Sequence, residues 1–208
     1  MLREELINIS HEHEKFLQPQ RNISTVNIDG IIKSHEIYHL SIINYLPEKC
    51  TSVLDIGCGL GFTDLCIFEH YGSKAKIQFY LFDKSEFTDN LYFGFEDKAA
   101  FYNDLGLAKM LLTDYGISSQ DVTTIEAEKE NLTQLTDIDL IISAIAWGFH
   151  FPVSTYLEEV VNLMHDESVL IMDLRNESDG LERLREFFNV EIILQRSKSI
   201  RVACRKSE

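Results

Sequence analysis

Positive charge, long apolar segments and internal repeats are scarce or missing in this sequence of 208 residues. Lysine and arginine together number 19, against 34 aspartates and glutamates, so the formal net charge is −15. Because such a surface repels phosphate backbones, we expect no nucleic-acid partner. The longest apolar stretch, residues 138–153, is too short for a membrane span and contains His150, so we expect no spanning helix.

The four cysteines lack the Cys-x-x-Cys spacing of redox motifs and zinc sites. We interpret them as buried free thiols of a reducing compartment, and since no signal-like apolar run follows the first residues, we expect a cytoplasmic protein. His11 and His13 are two positions apart and do not share a helix face, so we interpret them as solvated rather than as metal ligands. The sequence therefore predicts no metal site.

The most informative stretch is VLDIGCGLGF at residues 53–62. Its β-branched apolar start predicts a buried strand, and after Gly61 the apolar spacing becomes helical as far as Tyr71. Glycines at alternate positions let the backbone turn tightly and approach a ligand, and the helix N-terminus offers free N–H groups. This order of strand, glycine turn and helix predicts a site for a nucleotide-like ligand, and an ordinary tight turn is the alternative.

The spacing of this motif argues against a dinucleotide. The dinucleotide fingerprint Gly-x-Gly-x-x-Gly places a pyrophosphate on the helix N-terminus. Here the third glycine comes one place early, and Phe62 stands at the last position. Asp55 precedes the first glycine, where it would repel a phosphate and would suit a cationic or ammonium-bearing ligand.

The stretch resembles motif I of class I S-adenosylmethionine (SAM)-dependent methyltransferases, whose pattern is Asp-x-Gly-x-Gly-x-Gly. The resemblance covers about residues 34–204 and implies that SAM is the cofactor, bound at its amino-acid end by Asp55, Gly57, Gly59 and Gly61. It also implies an α/β fold: a Rossmann-like, doubly wound sheet of seven strands, mostly parallel with a C-terminal antiparallel hairpin, and helices on both faces. The hairpin is predicted at residues 190–195 and 200–204, because their short connection requires antiparallel strands.

Two further acids follow predicted strands. Asp83 ends the apolar run 77–82, and an acid at this position can accept two hydrogen bonds from ribose hydroxyls. Glu126 follows the β-branched run 122–125, where the resemblance implies contact with the adenine amino group, and Glu128 is a rival for that role. A water-facing strand end is the alternative for Asp83.

The predicted fourth strand, residues 138–143, leads into AIAWGFHFP at the ligand edge of the sheet. DNA and protein-glutamine amino-methyltransferases carry Asn- or Asp-Pro-Pro-Tyr here; this chain has Ser143, assigned to the cofactor site, but no paired prolines, which disfavours amide or base N-methylation. We predict His150 as the catalytic base, since an imidazole can take a proton from a hydroxyl near neutral pH. Trp147 can pack against a sugar or the sulfonium, and packing in the protein is the alternative for both residues.

Arg175 follows the predicted fifth strand, residues 168–173, and can pair with an anionic substrate; a surface ion pair is the alternative. The resulting prediction is methyl transfer from SAM to a hydroxyl of a small molecule, such as a sugar or glycan precursor. Segment 147–152 and the aromatic stretch before Tyr102 resemble sugar O-methyltransferases found with bacterial surface-polysaccharide genes. The alternatives are methylation of a small molecule at nitrogen or carboxylate, and a SAM-binding regulatory subunit without catalysis.

The remaining segments give predictions about organisation. Residues 1–17 are predicted to be helical and to end at Gln-Pro-Gln, and a second helix is predicted at residues 33–46 with Ser34 as its cap. We therefore divide the chain into a helical extension, residues 1–32, and a methyltransferase domain, residues 33–208. His35, Tyr38 and His39 face either the cofactor cleft or the surface. Residues 87–102 form either a lid or an extension of the core, and a helix is predicted from Pro152 to about His165.

Overall fold

The computed structural model describes residues 1–21, 26–72, 74–87, 102–127 and 129–207, with the backbone alone at 18–21, 86, 87 and 102. The strands of these ranges are β1 Ser52–Ile56, β2 Gln78–Asp83, β3 Glu86–Phe87, β4 Tyr102–Asn103, β5 Val122–Glu126, β6 Leu140–Ser143, β7 Ala146–Phe151, β8 Val169–Arg175, β9 Phe188–Gln195 and β10 Ser199–Lys206. The helices are α1 His11–Arg21, α2 Ile28–Ile42, α3 Phe62–Tyr71, α4 Leu105–Asp114, α5 Leu157–Leu163 and α6 Gly180–Arg185.

Seven of the strands form one sheet in the order β5-β2-β1-β6-β8-β10-β9. The first five are parallel, and β10 lies antiparallel between β8 and β9. The chain moves outward from β1 in both directions, so the order reverses between β1 and β6, and a ligand crevice is expected at the carboxyl ends of these strands. The predicted seven-stranded, doubly wound α/β sheet with its C-terminal hairpin is confirmed.

Alternation along the strands separates two hydrophobic cores. Val53 of β1 points into the core that includes residues of α2, α3 and α4, whereas Leu54 points into the core that includes residues of α5 and α6. This period of two is what a strand buried on both faces requires. Leu2 and Leu17 belong to the first core, so the N-terminal segment packs onto the same sheet.

The predicted N-terminal helices are wrong in their bounds. A 3-10 helix at Glu4–Leu6 is followed by α1, which continues through residues 18–20 to Arg21. The second helix, α2, begins five residues earlier than predicted, because Asn27 rather than Ser34 is its cap: the Asn27 side chain accepts the N–H of Gly30 at 3.2 Å. Ser34 instead donates its hydroxyl to the Ile31 carbonyl inside the helix.

Among the remaining sequence predictions, some are confirmed and others are wrong. His13 is buried, with Nε2 3.3 Å from the Leu107 carbonyl oxygen, so its interpretation as solvated is wrong, whereas His11 is exposed. The helix predicted after Pro152 is divided into a 3-10 turn, Val153–Thr155, and α5. The four cysteines are free and buried, as predicted. The possible lid has its ends joined by β3 and β4, but its interior, 88–101, and Glu128 lie outside the described residues.

No helix in the described part of the chain combines the length and apolar content that crossing a bilayer requires. Within the same ranges, no three His, Cys, Asp or Glu side chains are grouped so that they could hold a metal ion.

Candidate functional site

The glycine loop between β1 and α3 lies at the carboxyl edge of the sheet, beside the reversal in strand order. Gly57, Gly59 and Gly61 have φ values of +79°, +56° and +80°, in the left-handed region that favours glycine. A Cβ on Gly57 would collide with the Ala146 side chain, and one on Gly61 would lie 2.5 Å from Leu112. The loop therefore has its shape because these positions carry no side chain.

Asp83, at the end of β2, fastens this loop. Its Oδ2 accepts the N–H of Gly59 at 2.9 Å, and its Oδ1 accepts the N–H of Lys84 at 2.7 Å. Burial raises the pKa of the Asp83 carboxyl to about 6. Each carboxylate oxygen can accept more than one hydrogen bond, so the group can hold the loop and still accept from a ligand hydroxyl.

Glu126 lies next to Asp83, because the two residues are register partners on the parallel strands β5 and β2. Its Oε1 accepts the N–H of Ser85 at 2.8 Å, and its own N–H donates to Glu130. Two half-buried acids therefore stand side by side at the strand ends, and Asp83 is hydrogen-bonded to the glycine loop. The predicted positions of both acids at neighbouring strand ends are therefore found in the structure.

Asp55 and Asp64 form a buried pair of carboxyl groups under the glycine loop. Asp55 is on β1, and Asp64 is the third residue of α3. Among the described residues, no donor reaches Asp55 Oδ1 or either carboxyl oxygen of Asp64. Burial, and then the neighbouring Asp64, raise the pKa of Asp55 well above its usual range, while burial raises the pKa of Asp64 to about 7.

Ser143 and Trp147 stabilise the connection between β6 and β7. The Ser143 hydroxyl donates to the Ile56 carbonyl at 2.8 Å and accepts the Trp147 N–H at 2.9 Å. The indole N–H of Trp147 donates to the Val153 carbonyl at 2.9 Å, and the ring is completely buried. These contacts favour packing over substrate contact for Trp147, and they give Ser143 a role in joining β1 to β7.

His150 and Arg175 lie on adjacent segments, β7 and β8. Arg175 donates from Nε to the Phe149 carbonyl at 3.0 Å, and its guanidinium carbon lies 4.7 Å from the centroid of the Phe149 ring. Burial, and then the charge of Arg175, lower the pKa of His150 below its ordinary value of 6.5. The imidazole is therefore neutral at pH 7, which is the state that a base needs.

Helix α2 lies against α3, and His35 of α2 contacts the first turn of α3 after the glycine loop. His35 stacks on Phe62 with ring centroids 5.3 Å apart, and its Nδ1 lies 3.2 Å from the Thr63 hydroxyl. Tyr38 is buried, with the guanidinium carbon of Arg201 3.8 Å from its ring centroid.

The Arg201 side chain joins three parts of the fold. It makes a buried bidentate ion pair with Asp173, at 2.8 Å for both contacts, and also donates to Ser41. Strands β10 and β8 are therefore connected to α2 through this side chain.

Sequence reasoning missed two residues of this region. Asp64 carried no signal because residues 62–68 of α3 are all buried, so helical periodicity marks no special face. Ile145 has φ +54°, a strained conformation for a β-branched residue, and 45% of its surface is exposed between β6 and β7. The structure thus brings together the residues predicted for the cofactor at the carboxyl edge of the sheet: Asp55, Gly57, Gly59, Gly61, Asp83 and Glu126. Ser143 and Trp147 lie next to this group, on β6 and β7. His150 and Arg175 lie further along β7 and β8.

No family model matches the sequence, and no curated protein matches it. Solved structures do match the fold, at low identity. A precorrin-6y C5,15-methyltransferase from Geobacter metallireducens has a TM-score of 0.58 and 15% identity, covering 83% of this chain and 88% of its own. A methyltransferase from Geobacter sulfurreducens has a TM-score of 0.57 and 16% identity, covering 97% and 94%.

A TehB-like SAM-dependent methyltransferase from Corynebacterium glutamicum has a TM-score of 0.53 and 18% identity, covering 94% of this chain and 98% of its own. These proteins share the overall fold with this chain at 15–18% sequence identity. The chain has the Rossmann-like fold of SAM-dependent class I methyltransferases.

Proposed function

We propose that this protein is a SAM-dependent methyltransferase that methylates a hydroxyl of a small molecule, such as a sugar or glycan precursor. The observation that carries the proposal is the left-handed glycine loop whose Gly59 N–H is bound by the Asp83 carboxylate, with Glu126 alongside. The high negative charge supports a small acceptor rather than a nucleic acid. The buried free cysteines support a cytoplasmic location.

The described residues fit this cofactor. The unpartnered Oδ1 of Asp55 suits the ammonium group of the amino-acid end, which the glycine loop leaves room to approach. Asp83 binds the ribose hydroxyls, and Glu126 binds the adenine amino group. Bound SAM would supply a methyl group carried on its sulfonium. The acceptor would take this methyl group in line with the sulfur that leaves, provided that the site aligns the two molecules.

His150 takes the acceptor proton in this proposal. Its neutral form is favoured by burial and by Arg175, so it can accept a proton near pH 7. Strand β7 starts against the glycine loop at Ala146, and four residues of chain place the Cα of His150 at most about 14 Å from that of Ala146. An acceptor that reaches both the base and the cofactor therefore lies along β7.

Calorimetry with SAM and NAD tests the cofactor. We expect SAM or S-adenosylhomocysteine to bind in the micromolar range, about 8 kcal/mol, and NAD to bind far more weakly, because Asp55 repels a pyrophosphate. Gly59→Val should abolish SAM binding, since valine is strained at φ +56° and its side chain enters the ligand's space. Gly72→Val, at φ +83° but with nothing within 4 Å of its Cβ, is the matched control and should retain binding. Tighter binding of NAD than of SAM would contradict the proposal.

A screen of small acceptors with methyl-labelled SAM tests the reaction. Label in the hydroxyls of sugars or related molecules supports the proposal. Label only in amines or carboxylates would instead support the second activity, for which His150 is dispensable. Tight SAM binding without transfer to any acceptor would favour a regulatory subunit.

A further inference from the structure

Asp64 is a buried acid that the proposed reaction leaves unused. It is completely buried in the first turn of α3, and neither of its carboxyl oxygens has a donor within the described ranges. Its Oδ2 lies 3.6 Å from where a Cβ of Gly61 would stand, so the carboxyl group is directed at the glycine loop. Burying such a group without partners costs free energy, which a structural role would avoid.

Asp64 also faces a second acid. Asp55, on the strand beneath it, has one unpartnered oxygen, and each carboxyl affects the protonation of the other. As two carboxylates they repel and neither can donate a hydrogen bond, whereas one proton between them gives a hydrogen bond. The pair therefore holds one proton over part of the neutral pH range, by analogy with other carboxyl dyads.

The surroundings of the pair are acidic or neutral. The described ionisable groups that interact with it are Asp83 at the end of β2, Cys58 in the glycine loop, Cys66 on α3 and Tyr38 on α2. No lysine or arginine is among the described groups that shift the pKa of Asp55 or Asp64. Among the described residues, therefore, no basic side chain supplies the compensating positive charge, and a proton or a cationic group of a ligand can supply it.

We propose that Asp64 and Asp55 together receive the ammonium group of SAM, and that the proton they share passes to the solvent when the ligand enters. This inference rests on the proposed function and assigns to Asp64 a contact that the glycine motif does not include. An ammonium group has three donors and one positive charge, so it satisfies the orphaned oxygens and neutralises the added negative charge. Asp64 is thus a specificity-determining residue for ligands that carry an amino-acid end.

Two probes that differ only at this end test the proposal. S-adenosylhomocysteine carries the ammonium group but no sulfonium, and 5′-methylthioadenosine has the same nucleoside without the amino-acid end. By calorimetry at pH 7.5, Asp64→Asn should weaken S-adenosylhomocysteine at least about tenfold, since a hydrogen bond to a charged group is lost. Binding of methylthioadenosine should change less than about twofold. Asp29→Asn, an exposed site on α2 with the same change in net charge, is the control and should alter neither.

Proton release gives a second readout. Between pH 5.5 and 8, the affinity of the parent protein for S-adenosylhomocysteine should rise with pH more steeply than that for methylthioadenosine. Both probes share the titration of Asp83, whose pKa is about 6, so the additional slope belongs to the acid pair. Calorimetry in buffers of different ionisation enthalpy should show a fraction of a proton released near pH 6.5 by the parent. Asp64→Asn should release markedly less, because the shared proton is gone.

The outcomes separate this inference from the proposed function. If Asp64→Asn weakens the binding of both probes equally, the change distorts the loop. If it weakens the binding of neither, Asp64 does not reach the ligand. Each of these results overturns the inference and leaves the proposed function unaffected. A parent protein that binds neither probe overturns the proposed function, and with it the inference, before any variant is made. Thermal unfolding checks that Asp64→Asn is folded, and Asp64→Ser replaces it if it is not.

Discussion

The Asp83 carboxylate binds the glycine loop, and in the proposed function the same group also accepts from the ribose hydroxyls. Asp83→Ala should weaken SAM binding by roughly 1.5–3 kcal/mol, the range for hydrogen bonds to a charged group. Asp83→Asn should weaken it less, because its amide oxygen can still accept the Gly59 N–H. Calorimetry on both variants measures the difference. If Asp83→Ala binds SAM as well as the parent does, the carboxylate does not contact the ligand.

His150 is the residue on which the catalytic proposal depends. His150→Gln should lower turnover by roughly 10²–10⁴-fold while hardly changing SAM affinity. Because burial and Arg175 lower the pKa of the imidazole, the acidic limb of the pH–rate profile should lie below 6.5 in the parent and vanish in His150→Gln.

Arg175 provides a check on the same profile. Arg175→Gln removes one cause of the lowered His150 pKa, so the acidic limb should move to higher pH. A folded His150→Gln enzyme with full turnover and lowered thermal stability would show that the histidine only packs.

The proximity of the proposed cofactor residues could be predicted from sequence because chain order places them. In a doubly wound sheet the carboxyl ends of β1, β2 and β5 meet at one edge, so Asp55, Asp83 and Glu126 fall together wherever their strands are recognised. The function of Trp147 could not be predicted in this way. Whether an aromatic residue after a strand faces a ligand or the core depends on the path of β7, in which Gly148 has φ +84°.

At the scale of elements, β7 lies so closely against β8 that it tolerates no side chain at Gly148. A Cβ there would lie 2.5 Å from Met172, 2.8 Å from Leu174 and 3.2 Å from the Asp173 carbonyl oxygen. Gly148→Ala should therefore reduce the free energy of unfolding by about 2–4 kcal/mol, combining overpacking with strain at φ +84°. Urea denaturation measures this change.

Gly72→Ala is the matched control for that substitution. Gly72 has φ +83°, almost the same as Gly148, but nothing lies within 4 Å of its Cβ. Gly72→Ala should therefore lower the free energy of unfolding only by the backbone strain, about 1–2 kcal/mol. Equal destabilisation by the two variants would mean that the contact of β7 with β8 is not tight.

Elements with strong local signals were predicted well, and those with ends set by capping were not. Helix α3 has its predicted bounds because the glycine turn starts it and Gly72 ends it. Helix α2 was predicted too late because Ser34 and Asn27 are both good caps, and only the folded chain shows which one accepts a backbone N–H.

At the scale of the whole molecule, the buried acids make stability depend on pH. The folded-state pKa of Asp64, about 7, exceeds its ordinary 3.8, so the folded protein binds this proton more tightly than the unfolded chain. The contribution of Asp64 to the free energy of unfolding is present at low pH and is lost as pH rises through 7. The loss is about 2–3 kcal/mol between pH 5 and 8. Histidines with lowered pKa, such as His150 and His39, act in the opposite direction below about 6.5.

A comparison of variants isolates this effect, because the histidines are common to both proteins. Without ligand, Asp64→Asn should be more stable than the parent at pH 8, and the difference should shrink toward pH 5. Urea denaturation at several pH values measures both curves. A difference that is independent of pH would mean that Asp64 is ionised in the folded protein throughout this range.

The contacts of Arg201 with Asp173 and Ser41 have a consequence for the order in which the chain folds. Ser41 and Arg201 are 160 residues apart, so α2 is synthesised long before its guanidinium partner in β10 exists. Contacts across such a distance form late, since closing a long loop costs entropy before the contact stabilises anything. The parallel strands around β1 can pair first, and α2 can pack against α3 with them. The contact of α2 with β10 forms only when the final strand has joined β8, so this contact is among the last in the molecule to be completed.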